Sequence, residues 1–235
     1  HGKYLYRRMG LALENCGRDI LFSACSWGAD ETHEWIKETG ASMWRSTGDI
    51  FDTWDSVKDL VAQQEKLHPY NGVGCFNDMD MLIVGMHGKG NVGLAGCSDV
   101  QYQTHYALWA FLGSPLMIGC DIRRILMNDE MIRINQDPLC RQPYKVKNHA
   151  WNDKVLIYVK ALADGDLAIG MFNLSDEKSR AAMNLDEIGL PFSTGHTLEL
   201  TEVWTCENLC ANNASLVTEL EPFASKVYRA KVVKL

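Results

Sequence analysis

No apolar run in the 235 residues approaches the roughly 18 that a bilayer-spanning helix needs, so no membrane span is expected. No dense basic stripe is present either. With 23 basic against 30 acidic side chains and a net charge of −7, nucleic acid is not a partner this chain is built to hold. No two of the eight cysteines form a CxxC pair, and Cys206 and Cys210 lack the two further ligands that a zinc site wants. No His/Asp/Glu set has metal-ligand spacing, so no metal is expected. The start at His1 shows no signal-peptide charge and apolar regions. A start without Met reads as a processed product or a fragment of a longer chain, and cytoplasmic and secreted locations both stay open. There is no internal repeat and no low-complexity linker.

What remains is an ordinary globular composition, 46% hydrophobic and 23% charged, enough for a sizeable core. Cys16, Cys25, Cys75, Cys97 and Cys120 lie in or beside apolar segments and read as buried, reduced thiols. A Cys206–Cys210 disulfide closing a small loop stays open. The sequons Asn173-Leu174-Ser175 and Asn213-Ala214-Ser215 carry weight only in a secreted protein.

The first 140 residues alternate between two hydrophobic periods. Helices are predicted over 3–16, 30–38, 53–66, 100–113 and 127–136, the fourth opened by a capping box, Ser98-Asp99-Val100-Gln101. Between them, 19–25, 41–45, 72–76 and 115–119 read as short buried strands. Strands alternating with helices imply a parallel sheet. Four such strands make half of a (β/α)8 barrel, which alone leaves an open edge and an uncovered face. The 235 residues expressed alone are therefore expected to be insoluble or inactive. After about Pro143 the pattern becomes strands only, at 151–159, 166–173, 197–203 and 226–233. The expected fold class is α/β: the C-terminal half of a TIM barrel over 1–142, then an antiparallel β-sandwich over 143–235.

In such a barrel the chemistry sits where strands end and βα loops begin. Ser26, Arg45, Asp49, Asp78 and Asp80 fall there. Asp49, four residues after Arg45, is the candidate catalytic acid; the plainer alternative is an acid placed to favour a helix N-terminus. Of the two closely spaced acids, Asp78 is assigned to orienting loop backbone. Trp27 and Trp44 read as core, with an exposed stacking face the alternative for Trp27. Met79 and Met86 read as packing residues, whereas Met81 lines the pocket. His87 and His105 read as loop and helix-surface residues.

Five stretches together resemble glycoside hydrolase family 27, the α-galactosidase and α-N-acetylgalactosaminidase family. They are Leu21-Phe22-Ser23-Ala24-Cys25-Ser26-Trp27-Gly28; Trp44-Arg45-Ser46-Thr47-Gly48-Asp49-Ile50 with Trp54; Asn77-Asp78-Met79-Asp80-Met81-Leu82; Ala107-Leu108-Trp109-Ala110 with Ser114-Pro115-Leu116; and Ile134-Asn135-Gln136-Asp137-Pro138-Leu139. The resemblance implies a retaining exo-glycosidase acting on terminal α-linked galactose-type sugars of glycans and glycoconjugates, with no cofactor. It implies that Asp49 is the general acid/base, that Arg45, Asp80 and Met81 bind the sugar, and that the nucleophile lies on a strand before residue 1. The N-terminal half of the barrel is then an expected partner, and a homo-oligomer stays open. Selectivity is implied by the residues after Cys25. Ser26 and Ala29, with Trp27 between them, match members that accept N-acetylgalactosamine, because a hydroxyl and a methyl leave room for an acetamido group. An α-N-acetylgalactosaminidase is therefore the first expectation and an α-galactosidase the second. A protein of another class, a non-catalytic sugar binder, is the third. Two departures from the family pattern stand out: Gly28 replaces a proline, and Ala41 replaces the disulfide partner of Cys25.

Overall fold

In the computed structural model, residues 1–121, 124–211 and 214–235 are described. The chain forms two compact units, one of 1–97 with 112–121, the other of 98–111 with 122–235. No helix among the described residues is long and apolar enough to cross a membrane.

The first unit runs α1 (Gly2–Glu14), β1 (Ser23–Cys25), α2 (Thr32–Trp35), β2 (Met43–Arg45), α3 (Trp54–Leu67) and β3 (Phe76–Asp78). The strands pair in parallel in the order β1-β2-β3, with Ala24, Trp44 and Asn77 in register. The predicted fourth strand, 115–119, reduces to one parallel bridge, Leu82 to Ile118. Around it Leu82 N–H donates to Met117 O at 2.7 Å and Gly119 N–H to Leu82 O at 3.1 Å, while Met117 N–H turns back to Pro115 O at 3.0 Å. The predicted third strand, 72–76, is also displaced. Gly72 and Cys75 bridge each other in a turn, and pairing begins only at Phe76. The long run 19–25 pairs only at its end, which leaves Leu21 70% exposed beside the free side of β1. Segment 30–38 is not one helix but three short turns, because Asp30 and Glu31 sit at φ 60 and 49.

α3 follows its sequence closely. Thr53 caps it by accepting Ser56 N–H at 3.3 Å, and Trp54, Val57, Leu60 and Val61 are buried along one stripe. Gln64 continues that stripe into the interior.

The second unit contains α4 (Asp99–Phe111) and α5 (Asp129–Asn135). It continues with β4 (Tyr144–Val146), β5 (Val155–Ala161), β6 (Leu167–Asn173), β7 (Ser179–Asn184), β8 (His196–Glu202), β9 (Asn208–Cys210), β10 (Ser215–Leu220) and β11 (Ser225–Lys234). An antiparallel six-stranded sheet, in the order β4-β5-β6-β11-β8-β9, is joined by the β7–β10 ribbon. A shared apolar core that includes Ile157, Met171, Met183 and Leu216 makes the two a sandwich. The capping box at α4 forms in both directions: Ser98 N–H donates to Gln101 Oε1 at 2.8 Å, and Gln101 N–H to Ser98 Oγ at 3.3 Å.

His105 lies on α4, but not on its surface. The helix is buried nearly all round, and His105 stacks edge-on against Trp109 at 4.1 Å. Burial pushes its pKa down to about 3. The unfolded chain then binds more protons than the folded one between that value and about 6.5, so stability is lost as pH falls through this window. His105→Phe is expected to flatten the acid limb of a denaturant-melt series from pH 7 to 4. An unchanged limb would place the acid sensitivity elsewhere.

Asn173 is buried at the end of β6, and its side-chain amide donates to Glu177 O at 2.7 Å and Glu221 O at 3.0 Å. That sequon is occupied by folding. The sequon at Asn213 lies outside the described residues. No disulfide is present among the described residues: Cys75 and Cys97 are buried, Cys120 and Cys140 partly so, and Cys16, Cys25, Cys206 and Cys210 are exposed. The expectation of burial fails for Cys16 and Cys25 because Cys16 lies past the C-cap of α1 and Cys25 is the last residue of β1.

Candidate active site

The ends of β2 and β3 bring together three of the residues singled out by sequence. Arg45 closes β2, and its Nη2 donates to Gly48 O at 3.0 Å, Asp49 Oδ1 at 2.9 Å and Asp80 Oδ2 at 2.9 Å. The guanidinium is 14% exposed and Asp80 13%, whereas Asp49 is 53% exposed. Arg45 is thus a largely buried cation holding one largely buried carboxylate and presenting a second to solvent, not a surface ion pair. Its Nε is buried with no hydrogen-bond partner among the described residues. Asp49 lies five residues before Trp54, the first residue of α3, whose first turn carries Asp55 instead, so the helix-terminus alternative does not apply to it.

Asp80 is fixed from several sides. It adopts φ 81, a left-handed conformation that Asp tolerates better than most residues. Its Oδ2 also accepts Ile50 N–H at 2.7 Å, and its Oδ1 accepts Met81 N–H at 2.7 Å. Asp78 lies beneath, buried, with Oδ1 accepting Asp80 N–H at 2.9 Å. Burial raises the Asp78 pKa; the Asp80 N–H and the Arg45 charge oppose the rise. Asp78 orients backbone, as expected. Met81 is half-buried and packs so closely on Gly119 that a Cβ there would overlap its sulfur.

A polar ladder that sequence reading missed supports these ends from below. Trp44 Nε1 donates to Asn77 Oδ1 at 2.9 Å, Asn77 Nδ2 to Gln64 Oε1 at 3.2 Å, and Gln64 Nε2 to Ser46 Oγ at 2.7 Å. Ser46 Oγ in turn donates to Asp78 O at 3.0 Å. The signal for Gln64 was present: it falls at the helical spacing of Val57, Leu60 and Val61, where a polar group must find a buried partner.

The loop after β1 holds Ser26, Trp27 and Ala29. Ala29 N–H donates to Ser26 O at 3.0 Å, and a Cβ on Gly28 would meet Ser46 O at 2.8 Å, so the turn lies against the loop after β2. Ser26 Oγ is buried with no hydrogen-bond partner among the described residues. Ala29 is exposed. No direct contact joins these three side chains to Arg45, Asp49 or Asp80 among the described hydrogen bonds and ion pairs. Trp27 is not core. At φ 54 in a turn beyond the strand end it is 59% exposed, whereas Trp44 is fully buried. Met79 and Met86 are buried packing residues, and His87 sits in a loop with its Nδ1 3.2 Å from Cys97 O.

One cluster with ligand-like spacing, Glu31, His33 and Glu34, appears where the sequence suggested none. It lies on the strained turns before β2, away from Arg45 in the chain, and exposed acidic groups commonly gather in this way without an ion.

Residues 2–139 match the sequence profile of alpha galactosidase A, and residues 152–230 that of the alpha galactosidase C-terminal beta sandwich domain. The chain is 33% identical over 233 residues to an alpha-galactosidase of Cyamopsis tetragonoloba, covering 96% of this chain and 53% of that one. It is 35% identical over 195 residues to alpha-galactosidase A of Cellvibrio japonicus, covering 74% of this chain and 45% of that one. The crystal structure of alpha-galactosidase I from Mortierella vinacea superposes with a TM-score of 0.83 at 22% identity, over 97% of this chain and 62% of the other. The chain spans about half the length of the curated relatives it matches.

Proposed function

The chain belongs to the alpha-galactosidase family, glycoside hydrolase family 27, and on that premise we propose that it forms part of a retaining exo-α-galactosidase. Residues 1–142 contribute the C-terminal half of the catalytic barrel and 143–235 the sandwich domain. The observation that carries the reading is the Arg45 guanidinium, which bridges Asp49 and Asp80 at adjacent strand ends and leaves Asp49 open to solvent.

In this reading a carboxylate from the N-terminal half of the barrel attacks the anomeric carbon while Asp49 protonates the leaving oxygen. Asp49 then takes a proton from the water that releases the sugar, with net retention. The two carboxyl groups stand about 5–5.5 Å apart in such enzymes. Asp80 and Arg45 hold sugar hydroxyls, Met81 lines the ring pocket, and the exposed indole of Trp27 offers a stacking face. The unpartnered Nε of Arg45 fits this role, since a buried donor left unmade costs about 1–3 kcal/mol and a substrate hydroxyl would satisfy it.

The names of the relatives support galactose as the sugar. A second reading, terminal N-acetylgalactosamine, rests on Ser26 and Ala29, whose small side chains leave space beside C2. The two are separated by kcat/KM of the full-length enzyme on matched aryl α-glycosides. The galactoside is expected to be the better substrate, and Ser26→Glu is expected to widen the gap by filling the C2 space. A wild-type preference for the acetamido sugar would install the second reading. Hydrolysis of neither would leave only the non-catalytic binder.

A further inference from the structure

Asp52 is fully buried three residues after Asp49, and nothing in the mechanism above uses it. It does not cap α3; Thr53 does. Its carboxylate points instead at the glycine-rich loop that follows Asp80 and Met81. Oδ2 accepts Gly88 N–H at 2.7 Å and Oδ1 accepts Cys97 N–H at 3.2 Å, so one carboxylate ties both ends of the loop together. The backbone of Asp52 holds the same loop twice more, donating to Val92 O at 3.2 Å and accepting Gly96 N–H at 3.0 Å. The Cys97 thiol also bonds the carboxylate, and burial together with that carboxylate pushes its pKa up to about 12, so it stays a donor. The loop is shaped for this closure. Gly88 and Gly96 have φ of 72 and 86, and a Cβ on Gly96 would meet Gly88 N at 2.6 Å.

The staple acts on the segment that carries Asp49. Ile50 N–H is held by Asp80 at 2.7 Å, Phe51 N–H by Ser56 Oγ at 2.9 Å, and Asp52 N–H by the loop. Asp49 itself is held by a half-exposed ion pair, and such pairs fix geometry weakly. The precision of its carboxylate must come from the backbone on either side.

We propose that Asp52 is a positioning residue for the general acid, fixing the 49–52 backbone against the 87–97 loop so that Asp49 meets the leaving-group oxygen. The inference rests on the function proposed above. A displaced acid is missed only by substrates that need protonation at the departing oxygen. A strongly activated aryl group leaves without it, whereas an alkyl or sugar leaving group does not.

The test compares kcat/KM of the full-length enzyme on a methyl or disaccharide α-galactoside and on a dinitrophenyl α-galactoside. For Asp52→Asn the expected loss is about 10- to 100-fold on the alkyl substrate and under about threefold on the activated one. Gly88→Ala disturbs the loop without touching the carboxylate, and is expected to give the same leaving-group-dependent loss. Asp49→Asn serves as the reference for complete loss of the acid. Equal losses on both substrates, or none, in both variants would overturn the inference while leaving the galactosidase reading intact. Failure of the unaltered enzyme to hydrolyse either substrate would overturn both.

Discussion

Asp49→Asn in the full-length enzyme should lower kcat on an alkyl α-galactoside by about 10²- to 10⁴-fold, the range that a positioned proton donor contributes. The substitution keeps the shape of the side chain and removes only its ability to give and take a proton. Arg45 keeps its bonds to Gly48 O and Asp80, so the site is not expected to collapse. A half-exposed pair is worth about 1 kcal/mol or less, which in a chain of this size moves Tm by no more than about 4 °C. The second half of the reaction supplies a signature. In the proposed mechanism water needs Asp49 as base to attack the glycosyl-enzyme, but azide does not. Azide should therefore restore turnover of an activated aryl galactoside in the variant and yield the retained α-galactosyl azide. A loss under tenfold, or no azide effect, would remove Asp49 from the acid/base role.

Arg45→Met should be costly in both activity and stability. The apolar stem is kept and the charge lost, so Asp80, 13% exposed, stays behind without its cation. Removing one partner of a buried pair costs about 3–5 kcal/mol, and the low end suits a site that is not wholly dry. kcat/KM should fall by about 10³, which corresponds to about 4 kcal/mol of transition-state stabilisation. Asp80 still accepts Ile50 and Met81 N–H, so the loop keeps part of its shape. Adding Asp80→Asn to the variant should cost little more stability, because the two residues act through one contact. Additive losses in that cycle would mean that the Arg45–Asp80 pair contributes nothing as a pair. A variant as stable and active as wild type would exclude the bridge as the organiser of the site.

Much of this arrangement was written in short-range chemistry. α3 and the Ser98–Gln101 box follow from local rules, and they appear within a residue or two of where those rules put them. Arg45, Asp49 and Asp80 stood out because charges placed just past apolar runs mark strand ends. The contacts that turn them into a site join residues as far as 35 apart in the chain, and no local pattern reports those. Asp52 was invisible for that reason, since its partners lie 36 and 45 residues downstream. His105 was misplaced because α4 is buried nearly all round beyond its first turn and lacks the two-faced pattern that tells inside from outside. β7 went unread because Ser-Arg-Ala-Ala-Met-Asn carries no β-branched residue; its strand character comes from pairing with β10. The apolar run 115–119 pairs with Leu82 only through Met117 O and Gly119 N–H, because Met117 N–H is taken by the Pro115 carbonyl and is lost to the ladder.

The buried amide of Asn173 sets a clock. Its protecting acceptor, Glu221 O, lies 48 residues further along the chain. During synthesis at about 5–20 residues per second, that acceptor emerges roughly 2–10 seconds after Asn173 does. Only in that interval is the Asn-Leu-Ser sequon open to an oligosaccharide transferase. In a compartment that holds one, attachment and folding compete for the same amide, and a chain modified first could not close β6 as it stands here. Folding speed, more than the presence of the sequon, then decides whether the site carries a glycan.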